Sequence, residues 1–176
     1  MDKSEAMLRV ARRKSRRVRW YCQDLTRLRI KEQADLITCQ FDALNHVLRE
    51  ADLQRIFDNV GRILRDGGLF QFDLNTVHWL RWLATSQKLF RLGPHAFTAY
   101  NEFDPRTGLA SFHQLWFVKR GRHYRKFEVT VRNRAYDRAT IRRMLRQAGM
   151  RLITVRPQRA MGGKPIRDYF LAVRET

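Results

Sequence analysis

The feature that most constrains the fold is a strand–helix–strand run within residues 35–76. A compact apolar strand at 36–39 precedes a helix at 52–65, whose apolar residues recur at helical spacing. Gly67 and Gly68 would stop that helix with a left-handed cap, and a second strand at 69–72 runs into polar residues. Two strands joined by a helix are parallel neighbours in one sheet. The run therefore predicts an α/β fold.

The segment before this run predicts one helix and one strand. Ser4 is a good N-cap, and Met7, Val10 and Ala11 follow at helical spacing, which indicates a short amphipathic helix ending near Lys14. Apolar residues then alternate over 18–22, which is typical of a strand. That strand would end at Gln23 and Asp24.

The segment after residue 76 changes from α/β to antiparallel character. Apolar residues at helical spacing predict a helix that reaches about Lys88. Three strand-like stretches follow within residues 97–133, and Arg120 and Gly121 suit a tight hairpin turn between the last two. We therefore expect an antiparallel β insertion rather than another parallel unit.

The C-terminal part returns to the α/β pattern. Asp137 caps a helix that Gly149 stops. Two closing strands at 152–155 and 169–173 are joined by a loop that includes residues 161–165. No linker or repeat divides the chain, so residues 1–176 are predicted to form a single domain.

Composition excludes some classes of protein and leaves others open. The net charge is +19, and only seven of the 36 basic residues are lysines, so the other 29 are arginines. Nucleic acid is a possible partner for such a surface, but the arginines are scattered and the interpretation is not favoured. No apolar run approaches the ~20 residues of a membrane span, and no export signal is visible, so a cytoplasmic protein is expected. Cys22 and Cys39 are expected to be reduced thiols in buried strands.

Polar residues follow each predicted strand, where ligands of open α/β sheets bind. A carboxylate such as Asp2 can accept two hydrogen bonds from ribose hydroxyls, and Asp24 after the next strand can accept from an exocyclic amine. Taken singly, each of these residues is more often an ordinary turn or N-cap residue. Their ordered series favours a ligand site.

The order of these motifs resembles the class I S-adenosylmethionine-dependent methyltransferases. Residues 1–8, MDKSEAML, are similar to the segment after the family's second strand, and RVRWYCQDL resembles its third strand. Residues 35–44 look like the fourth strand, and LRDGGLFQFDLNT looks like the family's fifth strand and the turn before it. The insertion at 97–133 resembles the antiparallel cap of a small-molecule branch. The resemblance implies a Rossmann-like sheet and S-adenosyl-L-methionine as cofactor.

The resemblance also implies roles for individual residues. On the cofactor side, Asp2 would hold the ribose, Asp24 the adenine amine and Leu25 a backbone contact, while Gln40 and Phe41 would border the methionine moiety. The substrate side would be formed by Asn45, Asp73, Asn75, Arg134 and Tyr136. No metal ligands are expected, because no Cys/His cluster has metal spacing.

One departure from the family pattern concerns the start of the sheet. The family's first strand and its G-x-G-x-G loop have no counterpart, because neither Gly67-Gly68 nor Gly162-Gly163 has that pattern. We therefore expect a sheet that is incomplete at its N-terminus, in a truncated methyltransferase whose activity is impaired. Tight cofactor binding by this chain alone would contradict that expectation.

Three functions remain open at this level. The favoured one is direct transfer of a methyl group from the sulfonium to a small-molecule acceptor, with alignment and desolvation as the enzyme's main contribution. His46 is a possible base, although a lone histidine at a helix start is more often structural. The alternative is a non-catalytic basic α/β remnant that binds nucleic acid or a protein partner. A third reading keeps methyl transfer but makes RNA the acceptor.

Overall fold

The structure is a computed structural model, and it describes residues 1–85, 88–160 and 163–176. The helices are α1 (Glu5–Lys14), α2 (Glu50–Ile63), α3 (Val77–Ala84) and α4 (Arg138–Gln147), with short 3₁₀ turns at Leu25–Arg27 and Ala43–His46. The strands are β1 (Ala34–Cys39), β2 (Leu64–Asn75), β3 (Lys88–Leu92), β4 (His95–Asp104), β5 (Leu109–Arg120), β6 (His123–Arg134), β7 (Met150–Arg159) and β8 (Pro165–Arg174).

Four strands form the main sheet, in the order β1-β2-β8-β7. β1 and β2 are parallel, whereas β8 is antiparallel to both β2 and β7. Helix α2 connects the parallel pair, as the sequence predicted. Helices α2 and α4 cover one face of this sheet and bury their apolar stripes against β2 and β8. The α/β fold class is confirmed.

The centre of the core is a cluster of four phenylalanines. Phe70 and Phe72 project from the same face of β2, and Phe57 of α2 meets them at centroid distances of 5.9 Å and 5.5 Å. Phe170 of β8 lies parallel to Phe72, 4.8 Å away. All four side chains are 0–1% exposed. Aromatic pairs at these separations add to the free energy gained from burying their area, so this cluster ties the helix to both strands.

The remaining four strands form an antiparallel cap sheet, in the order β3-β4-β5-β6. Its β4 strand packs on α3: the Asn101 side-chain amide donates to the Leu83 carbonyl at 2.9 Å, and Arg81 lies over the Phe103 ring. The tight turn predicted at Arg120 and Gly121 is confirmed, because β5 ends and β6 begins around it. The antiparallel insertion is thus confirmed, although it is larger than residues 97–133.

One predicted helix end next to the cap sheet was wrong, and one predicted loop lies partly outside the described residues. The helix expected to reach Lys88 ends at Ala84, and residues 88–92 instead pair with β4 as strand β3. Pairing with a neighbouring strand overrode the local helical pattern there. The predicted loop at 161–165 includes residues 161 and 162, which lie outside the described residues.

The strand predicted at 18–22 is not formed. Only a single parallel bridge joins Asp2 to Cys22, through hydrogen bonds from Asp2 N to Tyr21 O and from Gln23 N to Asp2 O, each 3.2 Å long. The alternating residues have no sheet face to pack against, so Val18 is 48% exposed. Cys22 is exposed rather than buried, which corrects its predicted environment.

The double glycine serves a bulge rather than a helix cap. Helix α2 already ends at Ile63, and Leu64 pairs with Ala34 before Leu69 pairs with Leu36. The intervening residues loop out of the ladder, with Gly67 at a φ of 74°. A Cβ on Gly68 would lie 2.8 Å from a backbone oxygen of Arg65. The two glycines therefore lie in a bulge of strand β2 and do not end helix α2.

The outer edge of β1 is open. In the part of the chain that the structure describes, β1 pairs with β2 alone, and the Asp2–Cys22 bridge is separate from the main sheet. Leu36 on this strand is 54% exposed. Strands of parallel sheets are normally covered on both faces, so this edge differs from the buried interior of β2. The assignment of one domain to residues 1–176 stays a prediction.

We expect Phe72→Ala to lower the free energy of unfolding by about 3–5 kcal/mol, because it leaves a cavity between α2, β2 and β8. Urea denaturation followed by circular dichroism measures this change. Leu89→Ala is the control, since Leu89 is 71% exposed and its replacement should change stability by less than about 0.5 kcal/mol. Equal effects of the two substitutions would contradict the position of the core.

Candidate functional site

The carboxyl ends of β1 and β2 meet at one edge of the main sheet, and the chain leaves β1 in an unusual conformation. Phe41 and Asp42 both have positive φ, at 62° and 50°. Such backbone costs about 1–3 kcal/mol per residue and persists only where the surroundings enforce it. Here the Asp42 amide donates to the Asp73 carboxylate at 2.9 Å. The turn leaves the Phe41 side chain 82% exposed.

Arg167 of β8 completes the support of this turn. Its guanidinium contacts Asp42 at 2.9 Å and Asp73 at 3.0 Å. Asp73 is fully buried, and its Oδ1 has no hydrogen-bond partner among the described residues. Burial raises the pKa of the Asp42 carboxyl, although the Arg167 charge opposes that shift. Sequence reasoning missed Arg167, because it is 125 residues from Asp42 and no local motif marks it.

Asn45 joins three elements at the same edge. Its side-chain oxygen accepts from the Asn75 amide at 2.8 Å, and its side-chain nitrogen donates to the carbonyls of Asn75 and Arg134, at 3.3 Å and 2.9 Å. The residue is completely buried. The side chain therefore fixes the end of β2 and the end of β6 to the turn after β1. Its predicted place on the substrate side stays a prediction.

Arg134 and Tyr136 secure the segment that leads into α2. Arg134 donates to the Leu48 carbonyl at 3.0 Å and to the Glu50 carboxylate at 2.8 Å. The Tyr136 hydroxyl donates to the Val47 carbonyl at 2.5 Å. Burial raises the pKa of Tyr136 to about 12, so the phenol stays protonated and remains a donor. Arg134 is joined to Asn45 and Asn75 through the Asn45 side chain. The substrate-side role predicted for Arg134 and Tyr136 stays a prediction.

The predicted adenosine-side residues lie on the separate bridge segment. Asp2 accepts from the Ser4 amide at 2.7 Å, and one oxygen of Asp24 accepts from the Thr26 amide and hydroxyl, at 2.8 Å and 2.6 Å. The Thr26 hydrogen bonds lower the pKa of Asp24. Both carboxylates are exposed, and in the described residues each has its second oxygen outside any hydrogen bond. They keep the acceptor capacity that the prediction requires.

Helix α2, rather than the sheet, holds this bridge segment in place. Asn59 donates to the Leu25 carbonyl at 3.0 Å, and Arg62 donates to the Leu28 carbonyl at 2.8 Å. Within the described ranges, no hydrogen bond joins Asp2 or Asp24 to Gln40 or Phe41. The predicted cofactor residues therefore form two groups, one carried by α2 and one by the end of β1.

His46, the predicted base, is exposed at the end of a 3₁₀ turn. A positive charge on its imidazole would oppose the rise in the pKa of Asp42 that burial causes, so His46 lies near the Arg167–Asp42–Asp73 cluster. Among the residues that the structure describes, no group of three His, Cys, Asp or Glu side chains could hold a metal ion.

Two clefts lie away from these residues. One, of about 490 Å³, is formed by β4, β5 and β6 of the cap sheet, where His113 stacks on Tyr100 at 4.5 Å. The other, of about 300 Å³, lies between α4 and β7. Neither cleft is lined by a predicted site residue.

Comparison with known proteins finds methyltransferases among the proteins that this chain resembles. Residues 1–68 match a family described as a methyltransferase domain. A protein of Geobacillus sp. (strain WCH70) with a provisional methyltransferase name is 28% identical over 82 residues, which are 44% of this chain and 33% of that protein. The match thus spans one third of the length of that curated relative.

Solved structures agree over nearly the whole chain. An S-adenosylmethionine-dependent methyltransferase from Clostridium acetobutylicum ATCC 824 is 26% identical, with a TM-score of 0.86 over 98% of this chain and 73% of that chain. An amino pentose methyltransferase from Micromonospora echinaspora is 19% identical, with a TM-score of 0.73 over 97% and 71%. The fold of this chain is that of the class I S-adenosylmethionine-dependent methyltransferases, as its motifs predicted.

Among the described residues, no helix is both long enough and apolar enough to cross a bilayer.

We expect Asn45→Ala to lower the free energy of unfolding by about 2–4 kcal/mol, because it leaves a buried N–H and two carbonyls without their partners. His46→Ala is the matched control: it alters the next residue, which is exposed and should change stability by less than about 0.5 kcal/mol. Denaturant unfolding of both variants measures the difference. A small effect at residue 45 would contradict the three-way contact.

Cys39 gives a test based on pH. Burial and the Asp73 charge raise the pKa of its thiol from 9.0 to about 11. Between about pH 9 and pH 11 the folded chain therefore keeps a thiol proton that the unfolded chain loses. The contribution of this thiol to the free energy of unfolding is complete below about pH 9 and is lost as pH rises through about 11. Cys39→Ala removes this dependence. We expect the difference in unfolding free energy between the two chains to change by about 2 kcal/mol between about pH 8 and pH 10.5; a constant difference would contradict the buried thiol.

Proposed function

We propose that this chain acts in methyl transfer from S-adenosyl-L-methionine to a small-molecule acceptor. The observation that carries the proposal is the agreement of 98% of the chain with a methyltransferase of this type, at 26% identity. The polar residues expected to contact the cofactor lie at the strand ends and on the bridge segment of that same fold.

The residues present fit the adenosine part of the cofactor. The free oxygen of Asp24 can accept from an exocyclic amine, and the remaining oxygen of Asp2 from a ribose hydroxyl. One Asp2 oxygen accepts from the Ser4 amide, and the other still has two lone pairs for ribose hydroxyls. The exposed Phe41 ring and Gln40 would border the methionine part. These contacts support the proposed cofactor without an additional group from the cap sheet.

The chemistry of the cofactor determines what the protein must do. When bound, S-adenosyl-L-methionine supplies an electrophilic methyl group on a sulfonium. The protein then has to align the acceptor and exclude water, and a base is needed only where the acceptor loses a proton. His46 is the proposed base for such an acceptor. The Arg167 guanidinium balances the Asp42 and Asp73 carboxylates, so this edge of the sheet does not present two uncompensated negative charges.

A small-molecule acceptor is supported by the nature of the structural relatives. One of them is an amino pentose methyltransferase. Its structure aligns with 97% of this chain, and the aligned part includes the antiparallel cap sheet. The substrate-side group, Asn45, Asp73, Asn75, Arg134 and Tyr136, lies where β6 of the cap meets the carboxyl end of β2. The cytoplasmic location and the impaired activity expected from the sequence stay predictions.

Calorimetric titration of the 176-residue chain with S-adenosyl-L-methionine tests the proposal. We expect weak but saturable binding that Asp24→Ala weakens by a further 10–100-fold or so, about the effect of losing a hydrogen bond to a charged group. Asp66→Ala is the control, because it removes an exposed carboxylate outside both groups of site residues. Folded chain that gives no saturable heat would contradict the proposed use of this cofactor. Equal loss in the two variants would contradict the role of Asp24.

A further inference from the structure

We propose a second site, which binds the phosphate backbone of single-stranded nucleic acid in the cleft between α4 and β7. We call it the arginine groove, and it is lined by Arg142, Arg146, Met150, Arg151, Leu152 and Glu175. Its volume of about 300 Å³ is roughly ten times the ~30 Å³ that one water molecule occupies. Three guanidinium groups and one carboxylate give the groove a formal charge of +2.

The groove contains the arginines of α4 that the fold does not use. Arg138 forms two hydrogen bonds with Asp168, and Arg143 pairs with Glu50. Within the described residues, no carboxylate lies within ion-pair distance of Arg142 or Arg146. These two residues are four positions apart on one helical face, where like charges repel each other. An anion bound between them would remove that repulsion.

The apolar walls of the groove strengthen the electrostatic field of its arginines. Met150 is 1% exposed and Leu152 packs against the core, so apolar groups lie behind the guanidinium heads. Low-dielectric walls lined by one sign of charge focus the electrostatic field and attract counter-ions. Glu175 is engaged by Arg151 at 3.0 Å, and it therefore neutralises one of the three cations but leaves the helix pair uncompensated.

The groove lies at the opposite end of the main sheet from the candidate methyltransferase site. Met150 pairs with Arg174, next to the Leu69–Val173 pair, whereas the candidate site begins at Asp73. Four residues of β2 separate the two ends by about 13 Å, at ~3.3 Å per residue. Substitutions in the groove therefore leave the proposed methyl-transfer residues untouched, and the inference does not depend on that function.

The arrangement of arginines favours a linear polyanion over a single phosphate. Two further exposed arginines, Arg156 and Arg159, lie farther along edge strand β7, and Arg159 also donates to the Gly163 carbonyl. From Arg151 to Arg159 the strand extends over about 26 Å, at ~3.3 Å per residue. Arginine binds phosphate through its planar fork of donors. No aromatic side chain lines the groove, so we expect contact with the backbone rather than recognition of bases.

Fluorescence anisotropy with a labelled oligouridylate, measured over a range of salt concentrations, tests the proposal. The double variant Arg142→Gln/Arg146→Gln should reduce the slope of log affinity against log salt by about 1.4, since each phosphate contact on a single strand contributes ~0.7. A slope change of this size corresponds to about 25-fold in affinity for each tenfold change in salt.

Arg9→Gln/Arg13→Gln is the matched control. It removes the same charge from two exposed arginines with the same spacing on helix α1. The proposal predicts that the control changes the slope by less than half as much as the groove variant. Equal changes would show that overall charge alone binds the polyanion and would overturn the assignment, as would the lack of salt-sensitive binding by the native chain.

Two further arms of the experiment distinguish other anions. Inorganic pyrophosphate should compete only weakly with the oligouridylate, because it cannot extend along β7. Phosphatidylserine vesicles should bind the groove variant and the Arg9→Gln/Arg13→Gln control to the same extent, because both have lost the same charge. Stronger competition by pyrophosphate than by unlabelled oligouridylate, or loss of vesicle binding in the groove variant alone, would overturn the proposed ligand.

Discussion

The structure depends on the parallel ladder between β1 and β2. Because α2 connects these strands and packs its apolar stripe on the face that carries Phe70 and Phe72, both carboxyl ends are brought to one edge of the sheet. The turn after β1 is then held by contacts with Asp73, Asn45 and Arg167. Core packing brings these polar side chains to the turn, and their contacts hold residues 41 and 42 at positive φ angles.

The β1–β2 ladder also determines how firmly the candidate cofactor residues are held relative to each other. β1 has one strand neighbour in the described part of the chain, and the bridge between Asp2 and Cys22 is supported through α2. The two groups of candidate cofactor residues consequently have no direct hydrogen bond between them. A ligand that contacts both groups has to order them relative to one another, and part of its binding free energy is spent on that ordering. An isolated bridge also has less local stability than a strand inside a sheet.

How well the sequence predicted the structure follows from the kind of interaction involved. Helical stripes, the N-caps at Ser4 and Asp137 and the hairpin at Gly121 depend on neighbouring residues, and they were predicted correctly. The strand at 18–22 failed because alternation indicates a strand only where a sheet face is present. Arg167 could not be predicted, because its ion pairs cross the sheet between distant segments. Gly67 and Gly68 were assigned to the wrong element, because a left-handed residue serves a helix cap and a β bulge equally well.

Hydrogen exchange of the chain with and without S-adenosylhomocysteine tests the central claim most directly, namely that the bridge segment and the end of β1 form one cofactor site. We expect simultaneous protection of the backbone amides of residues 2–3, 22–25 and 40–42, with exchange in the cap sheet unchanged. Protection of only one of the two groups at saturating ligand, or protection confined to the cap sheet, would contradict it.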